Sequence, residues 1–291
     1  MPRPAPPRGR TPAPSRARKP DHAPGRPPAR PGAGPGSHAG GEEPRKLFRV
    51  AGLPAVSALF EHEPARVERL FFEERFKPQA GAFCKALAAA RKPYRMVDAE
   101  ELSKVAGTVL HGGIVALIAP RPVPAFDTEA ARRWAAEDGQ PLLILDGVGN
   151  PHNLGAILRT AAFFGLRRLV VSGHPGQALP SEAAYRVAEG GFEWVELYQA
   201  TDLPLALKRL RGTYRTVGTA LGQGRQVTDV AGLAKGAKPA AVILGNEEEG
   251  IPAATLAACE EIVTIPGSGL VQSLNVAATA AIIIHALAAG R

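Results

Sequence analysis

Residues 262–287 read IVTIPGSGLVQSLNVAATAAIIIHAL: a short apolar run, a glycine-bearing loop and a long apolar tract. The run Ile262 to Pro266 is β-branched and brief, which predicts a buried strand, and Pro266 with Gly267 and Gly269 stops it. From Leu274 onward Ala, Ile and Leu fill nearly every position, so the tract predicts a helix buried on most of its sides. Ser273, Asn275, Thr279 and His285 interrupt it. Polar residues at the buried mouth of such a helix need partners, because an unpaired buried polar group costs about 1–3 kcal/mol. Backbone capping or a ligand can supply them.

Two other stretches repeat the theme of apolar strand, polar turn and helix. One runs PLLILD, GVGNPHN, LGAILRTAAFFG from Pro141; the other runs AAVILG, NEEEG, IPAATLAAC from Ala240. Near-continuous apolar strands joined through helices imply a parallel sheet covered on both faces. Turns leaving the carboxyl ends of such strands line one crevice, where ligands bind. Further strands are predicted at Arg168 to Ser172, Trp194 to Leu197 and Tyr214 to Ala220.

The crevice lacks several familiar signatures. No G-x-G-x-x-G follows the first strand, and no GK[ST] P-loop, H-E-x-x-H, paired-cysteine motif or G-x-S-x-G elbow occurs. Dinucleotide redox chemistry, NTP hydrolysis, zinc sites and serine hydrolysis lose ground accordingly. A small ligand held largely by loop backbone groups remains.

Taken singly, the polar residues of the three turns have ordinary readings. Leu154, Ile157, Leu158 and Ala161 form a core stripe, and at 100° per residue Arg159 lies roughly 150° from its centre, facing solvent or a second surface. Glu247, Glu248 and Glu249 can simply be hydrated, although Gly245 and Gly250 bracket them as a tight loop near a ligand would require. Ser273 reads as an N-cap and Asn275 as a first-turn residue.

Outside this region the chain changes character. Residues 1–44 hold thirteen Pro, seven Gly and no Leu, Ile, Val or aromatic residue, so they are expected to be a disordered tail. The tail carries +5 of the chain's formal net charge of +8, as a sequence-independent phosphate-binding arm would, or a solubilising leader. From residue 45 to 120 a small α/β unit is predicted, with helices at Ala51 to Glu61, Phe76 to Ala90 and Ala99 to Val105. Its strands are predicted at Val67 to Phe72, Tyr94 to Val97 and Ile114 to Ala119. His111 sits in its glycine-rich turn and reads as structural. A linker over 121–139, read from RPVPAFDTEAARRWAAEDGQP with prolines at both ends, holds one helix capped by Asp127 or Thr128, and the last domain runs over 140–291. Of 291 residues none lies in an apolar run long enough to span a bilayer. No secretory signal follows Met1, and Cys84 and Cys259 read as reduced thiols, so a cytoplasmic protein is expected.

Together the three turns resemble the signature motifs of the SpoU, or TrmH, family of RNA ribose 2′-O-methyltransferases in the SPOUT class. The first is NPHNLGAILRTAAFFG, with Asn153, Gly155 and Arg159; the second is GNEEEG, with Gly245, Glu247 and Gly250. The third is IPGSGLVQSLNVA, with Ile265, Pro266, Gly269, Ser273, Leu274 and Asn275. Gly267 stands where many members have Met, and Ala277 where many have Ser. The first unit resembles, less closely, the small substrate-binding domain that precedes many SpoU catalytic domains.

The resemblance implies an α/β fold with a SPOUT-type parallel sheet and a C-terminal trefoil knot. It implies S-adenosylmethionine as methyl donor, held near Gly245, Gly250, Ile265, Gly269 and Leu274, with no metal. The implied partners are rRNA or tRNA and a second copy of the chain. Arg159 would be the activator of the 2′-hydroxyl, acting across a homodimer interface, and Asn153, Glu247, Ser273 and Asn275 would set the site's geometry. Glu247 is expected to hold Arg159 or loop amides. The alternative is an RNA-binding protein that keeps the fold but little transferase activity.

Overall fold

The computed structural model describes residues 47–221, 225–226 and 230–289. The tail expected over residues 1–44 lies outside them. A four-stranded sheet comes first, built from β1 (Phe48–Ala51), β2 (Val67–Phe72), β3 (Tyr94–Met96) and β4 (Ile114–Ile118) in the order β1-β4-β2-β3. Central β4 is antiparallel to both neighbours, while β3 runs parallel to β2. Helices α1 (Leu53–His62), α2 (Lys77–Ala89) and α3 (Ala99–Ala106) complete the unit. Strand β1 escaped the sequence reading because four residues carry too little alternation to be separated from the helix that follows.

The second sheet has seven parallel strands in the order β7-β6-β5-β10-β8-β11-β9. These are β5 (Leu142–Asp146), β6 (Arg168–Ser172), β7 (Glu196–Ala200), β8 (Arg215–Thr219), β9 (Arg225–Gln226), β10 (Ala240–Gly245) and β11 (Glu261–Thr264). On one face pack α5 (Pro151–Phe163), α6 (Glu182–Ala188), α7 (Gly191–Trp194) and α10 (Val276–Ala289). On the other lie α4 (Thr128–Glu137), α8 (Leu203–Leu210) and α9 (Ala253–Ala258). Alternate strand residues serve the two faces: Leu143, Leu145, Val242 and Leu244 face one, and Leu142, Ile144, Ala241 and Ile243 the other. The expected sheet covered on both sides is therefore present.

Several boundaries differ from expectation, among them these three. Strand β11 ends at Thr264, leaving Ile265 and Pro266 in the loop. The predicted strand at Trp194 to Leu197 begins two residues later, because Gly190 and Gly191 allow a helical turn that absorbs Trp194. Helix α10 begins at Val276, not Leu274: the Asn275 side chain accepts from the Ala277 amide (2.8 Å) and so caps it. Ser273 lies exposed before the helix and does not cap it. Nor is α10 buried all round, since Ala278, Ile282, His285 and Ala289 form an exposed stripe.

Both cysteines are free and half-buried. His111 is structural: its Nδ1 accepts from the Gly113 amide (3.1 Å) and its Nε2 lies 3.1 Å from the Ser103 hydroxyl. No helix among the described residues is long and apolar enough to cross a membrane.

Candidate functional site

All seven strands run the same way, so the turns after β5, β10 and β11 leave one edge of the sheet. Strands β5 and β10 are neighbours; β11 is separated from β10 by β8, and the loop 265–275 crosses back so that α10 packs on α5. Three side chains record the convergence. Asn153, in the first turn of α5 and nearly buried, donates through Nδ2 to Glu247 Oε1 in the β10 turn. Its Oδ1 accepts from Asn275 Nδ2 (3.2 Å) in the β11 turn. One amide thus joins all three loops.

Local chemistry explains why each residue stands there. Asn150 caps α5 by accepting from the His152 amide (2.9 Å), and Pro151 occupies the position where a missing N–H costs nothing. In the second turn Gly245 permits close backbone approach: a Cβ there would come within 2.3 Å of the Gly250 carbonyl carbon. Asn246 and Gly250 exchange backbone hydrogen bonds of 2.9 and 3.0 Å, and Gly250 takes a left-handed φ of 74°. Asn246 organises what remains, its Oδ1 accepting from the Glu248 and Glu249 amides (2.8 and 3.0 Å). Its Nδ2 donates to the Gly147 carbonyl (2.9 Å).

Asn246 was missed by sequence reasoning, which looked to the carboxylates beside it; an Asn immediately after a strand and before a turn was the available signal. Within a single chain Glu247 takes a partner other than the expected Arg159 or loop amides. Glu247 accepts from Asn153, the loop amides bind Asn246, and Arg159 pairs with Glu189 at 2.9 Å. Arg159 lies six positions along α5 from Asn153, about 120° around the helix at 100° per residue, and so turns away from the cluster.

Loop 265–275 leaves apolar side chains uncovered: Leu270, Val271 and Leu274 are 89%, 71% and 48% exposed. Gly269 adopts a φ of 82°. Apolar groups standing free beside glycine-rich backbone suit a ligand with an apolar base and hydrogen-bonding edges, as an adenosine group has. Among the described residues no cluster of His, Cys, Asp and Glu is arranged to hold a metal ion. A cleft of about 480 Å³ lies at the ends of β5 and β10, lined by Asp146, His174 and, from the β10 turn itself, Asn246, Glu249 and Gly250.

Two family models match the chain. The SpoU rRNA methylase family covers residues 140–285, and an RNA 2′-O ribose methyltransferase substrate-binding family covers residues 49–124. Among curated relatives, a protein named uncharacterized tRNA/rRNA methyltransferase YfiF, from Escherichia coli O157:H7, is 33% identical over 81% of this chain. The alignment spans 66% of that relative's length. A 23S rRNA (guanosine-2′-O-)-methyltransferase RlmB from Acinetobacter baylyi is 32% identical over 80% of this chain and 94% of its own. Among solved structures, an S-adenosylmethionine-bound rRNA methyltransferase from Sinorhizobium meliloti shares the fold. It superposes with a TM-score of 0.67 at 22% identity, covering 83% of this chain and 86% of that one.

Proposed function

The chain belongs to the SpoU rRNA methylase family, RNA ribose 2′-O-methyltransferases dependent on S-adenosylmethionine, and from that premise we propose how its own residues carry out the transfer. The observation that carries the reading is the bridging Asn153 amide, which ties the three motif turns into one rigid mouth. The Glu247 carboxylate and the Asn275 amide, each fixed by Asn153, set the width of that mouth and orient the loops around the incoming ribose. Gly245, Gly250, Ile265, Gly269 and Leu274 hold the cofactor, with backbone groups on its adenosine and Leu274 covering its base. When bound, S-adenosylmethionine supplies an electrophilic sulfonium methyl. Ser273 stands exposed on the same loop, free to reach a bound nucleotide.

Arg159 acts on the RNA rather than on the cofactor. A guanidinium stays protonated in proteins, so it orients the phosphate next to the target ribose and stabilises the developing alkoxide, while the proton leaves through phosphate or water. Its distance along α5 from Asn153 fits a role in the partner's site of a homodimer. Support for such a dimer comes from the same helix face: Phe163 is 82% exposed, and Ile282 of the adjacent α10 is 38% exposed. The exposed Phe163 ring rests edge-on against the half-buried Phe164, centroids 5.0 Å apart, and makes a surface a second copy would cover.

The reading also includes a trefoil knot, in which the chain after β11 passes under the segment that follows β8. Its support is that β11 lies outside β8 while α10 returns to pack on α5 and on residues 230–233. We assign residues 45–120 to RNA binding, 121–139 to a linker and 140–291 to catalysis, and place the reaction in the cytoplasm. Ribosomal or transfer RNA is the substrate.

The test is methyl incorporation from labelled S-adenosylmethionine into total RNA of cells lacking the protein, followed by mapping of the modified ribose. Arg159→Ala is expected to bind cofactor with unchanged affinity and to lose turnover by about 10²-fold or more. Wild-type turnover in that variant would remove Arg159 from the chemistry. Phe163→Asp is expected to shift the protein to monomer in sedimentation and to lose activity with it; an active monomer would sink the shared site.

A further inference from the structure

Among the described residues only two non-glycine residues take positive φ, Arg91 and Glu189. Glu189 follows α6 with φ 46° and ψ 43°, a left-handed conformation that glycine or asparagine adopts more easily. Such strain persists where the surroundings enforce it and is concentrated at working parts of a protein. Here the carboxylate it delivers is the ion-pair partner of Arg159, at 2.9 Å, with both side chains about half exposed.

The two residues that follow fix the backbone from which this carboxylate extends. At Gly191 a Cβ would lie 2.8 Å from the Leu158 carbonyl oxygen and 2.9 Å from the Arg159 amide nitrogen, so this backbone lies directly against the backbone that carries the arginine. At Gly190, whose φ is 94°, a Cβ would lie 3.2 Å from Ala58 Cβ and 3.4 Å from Ala55 Cα, both on α1 of the first unit. The segment Glu189-Gly190-Gly191 is therefore wedged between the first unit and α5. Helix α6, which leads into it, is itself tied to β1 through the Arg49–Glu182 ion pair (3.3 Å).

We propose that Glu189 is a positioning residue for Arg159, holding its guanidinium in the orientation that meets the RNA, and that docking of the first unit on Gly190 keeps Glu189 in its left-handed conformation. This rests on the role assigned to Arg159 above. It adds a residue outside all three motif turns to the machinery, and it gives the RNA-binding unit a mechanical route to the catalytic arginine.

The experiment uses the full chain, labelled S-adenosylmethionine and total RNA from cells lacking the protein. Glu189→Asn keeps the left-handed backbone and removes the reaching carboxylate. It is expected to lower kcat by about tenfold or more, as small misplacements of a working group do, with cofactor affinity, RNA KM and melting temperature little changed. Glu189→Gln, which can still accept from the guanidinium, is expected to retain more turnover than Glu189→Asn. In an Arg159→Lys background the Asn substitution is expected to add no comparable further loss, as residues acting as a unit are non-additive. Wild-type kcat in Glu189→Asn overturns the proposal, as does an equal loss in the Lys background, or a loss that follows cofactor affinity or melting temperature. If Arg159→Ala keeps wild-type turnover, the reading of Arg159 falls and this inference with it; if Arg159→Ala is inactive while Glu189→Asn is fully active, only this inference falls.

Discussion

An amide side chain has a donor end and an acceptor end, and Asn153 uses both, toward Glu247 and Asn275. No other residue type of that size does this: Asp would set a second carboxylate against Glu247, and Leu would leave Glu247 and Asn275 unpaired. Asn153→Ala is expected to cost about 1–3 kcal/mol, the price of two lost partners, read from urea unfolding. It should also lower methyl transfer by about 10²-fold, because the loops lose their common tie. Unchanged turnover would show that the cluster is scaffolding only. Asn153, Glu247 and Asn275 each have an ordinary reading singly; they were legible in the sequence only together, because the three turns in order resemble one family's signature motifs. Their pairing was not, since it depends on how far each loop reaches across β8. Glu247 faces Asn153 within the chain, a contact that the motif spacing does not disclose.

Elements meet most closely where α5 crosses α6. A Cβ on Gly155 would lie 2.4 Å from the Ala184 carbonyl oxygen and 2.9 Å from Val187 Cβ, so the two backbones touch there with no side chain between them. Backbone cannot swing aside as a flexible side chain can, and overpacking of this kind costs about 1–3 kcal/mol. Gly155→Ala is therefore expected to destabilise despite raising helix propensity, an outcome checked by denaturant midpoint; greater stability would mean that the crossing is looser than drawn. Strands β5, β6 and β10 were readable because buried parallel strands are written as near-continuous apolar runs, LLILD, RLVVS and AAVILG. Ends were less readable. Helix α10 starts where the Asn275 side chain accepts an amide, and the apolar pattern runs on through Leu274 without marking that point. Gly190 and Gly191 gave no periodic signal at all, yet they set the contact of α7 with α5 and α1.

Across the whole molecule the two units share a continuous core, with Val50, Val56 and Leu59 in the same cluster as Leu158, Ala188 and Phe192. At its polar edge Arg66 donates to the Tyr185 hydroxyl (2.9 Å) and to Glu63, and Arg121 bonds Glu63 (2.6 Å) and the Phe192 carbonyl (3.1 Å). Glu193 lies among them with a fully buried side chain, 3.8 Å from Arg66, and neither carboxylate oxygen has a hydrogen-bond partner. No sequence pattern disclosed this, because the charged groups around it, Arg66, Glu63 and Arg121, come from positions more than seventy residues away. Burial pushes the Glu193 carboxyl up to about 7, with Arg66 and Arg121 pulling it down and Glu63 pushing it further up. In the unfolded chain it titrates near the ordinary 4.5. Between those values the native state holds a proton that the unfolded state releases. This group's contribution to stability is therefore full below the lower value, falls as pH rises toward 7, and is level above it. The loss is on the order of 3 kcal/mol. Glu193→Gln stays neutral throughout and leaves Arg66 its bonds to Glu63 and Tyr185, so it is expected to match the wild type in acid and to exceed it in mild alkali. Denaturant unfolding of both proteins at pH values on either side of that window measures the difference directly. Equal stability on the alkaline side would mean that Glu193 is ionised at little cost, with solvent or rearranged arginines reaching it in the folded state.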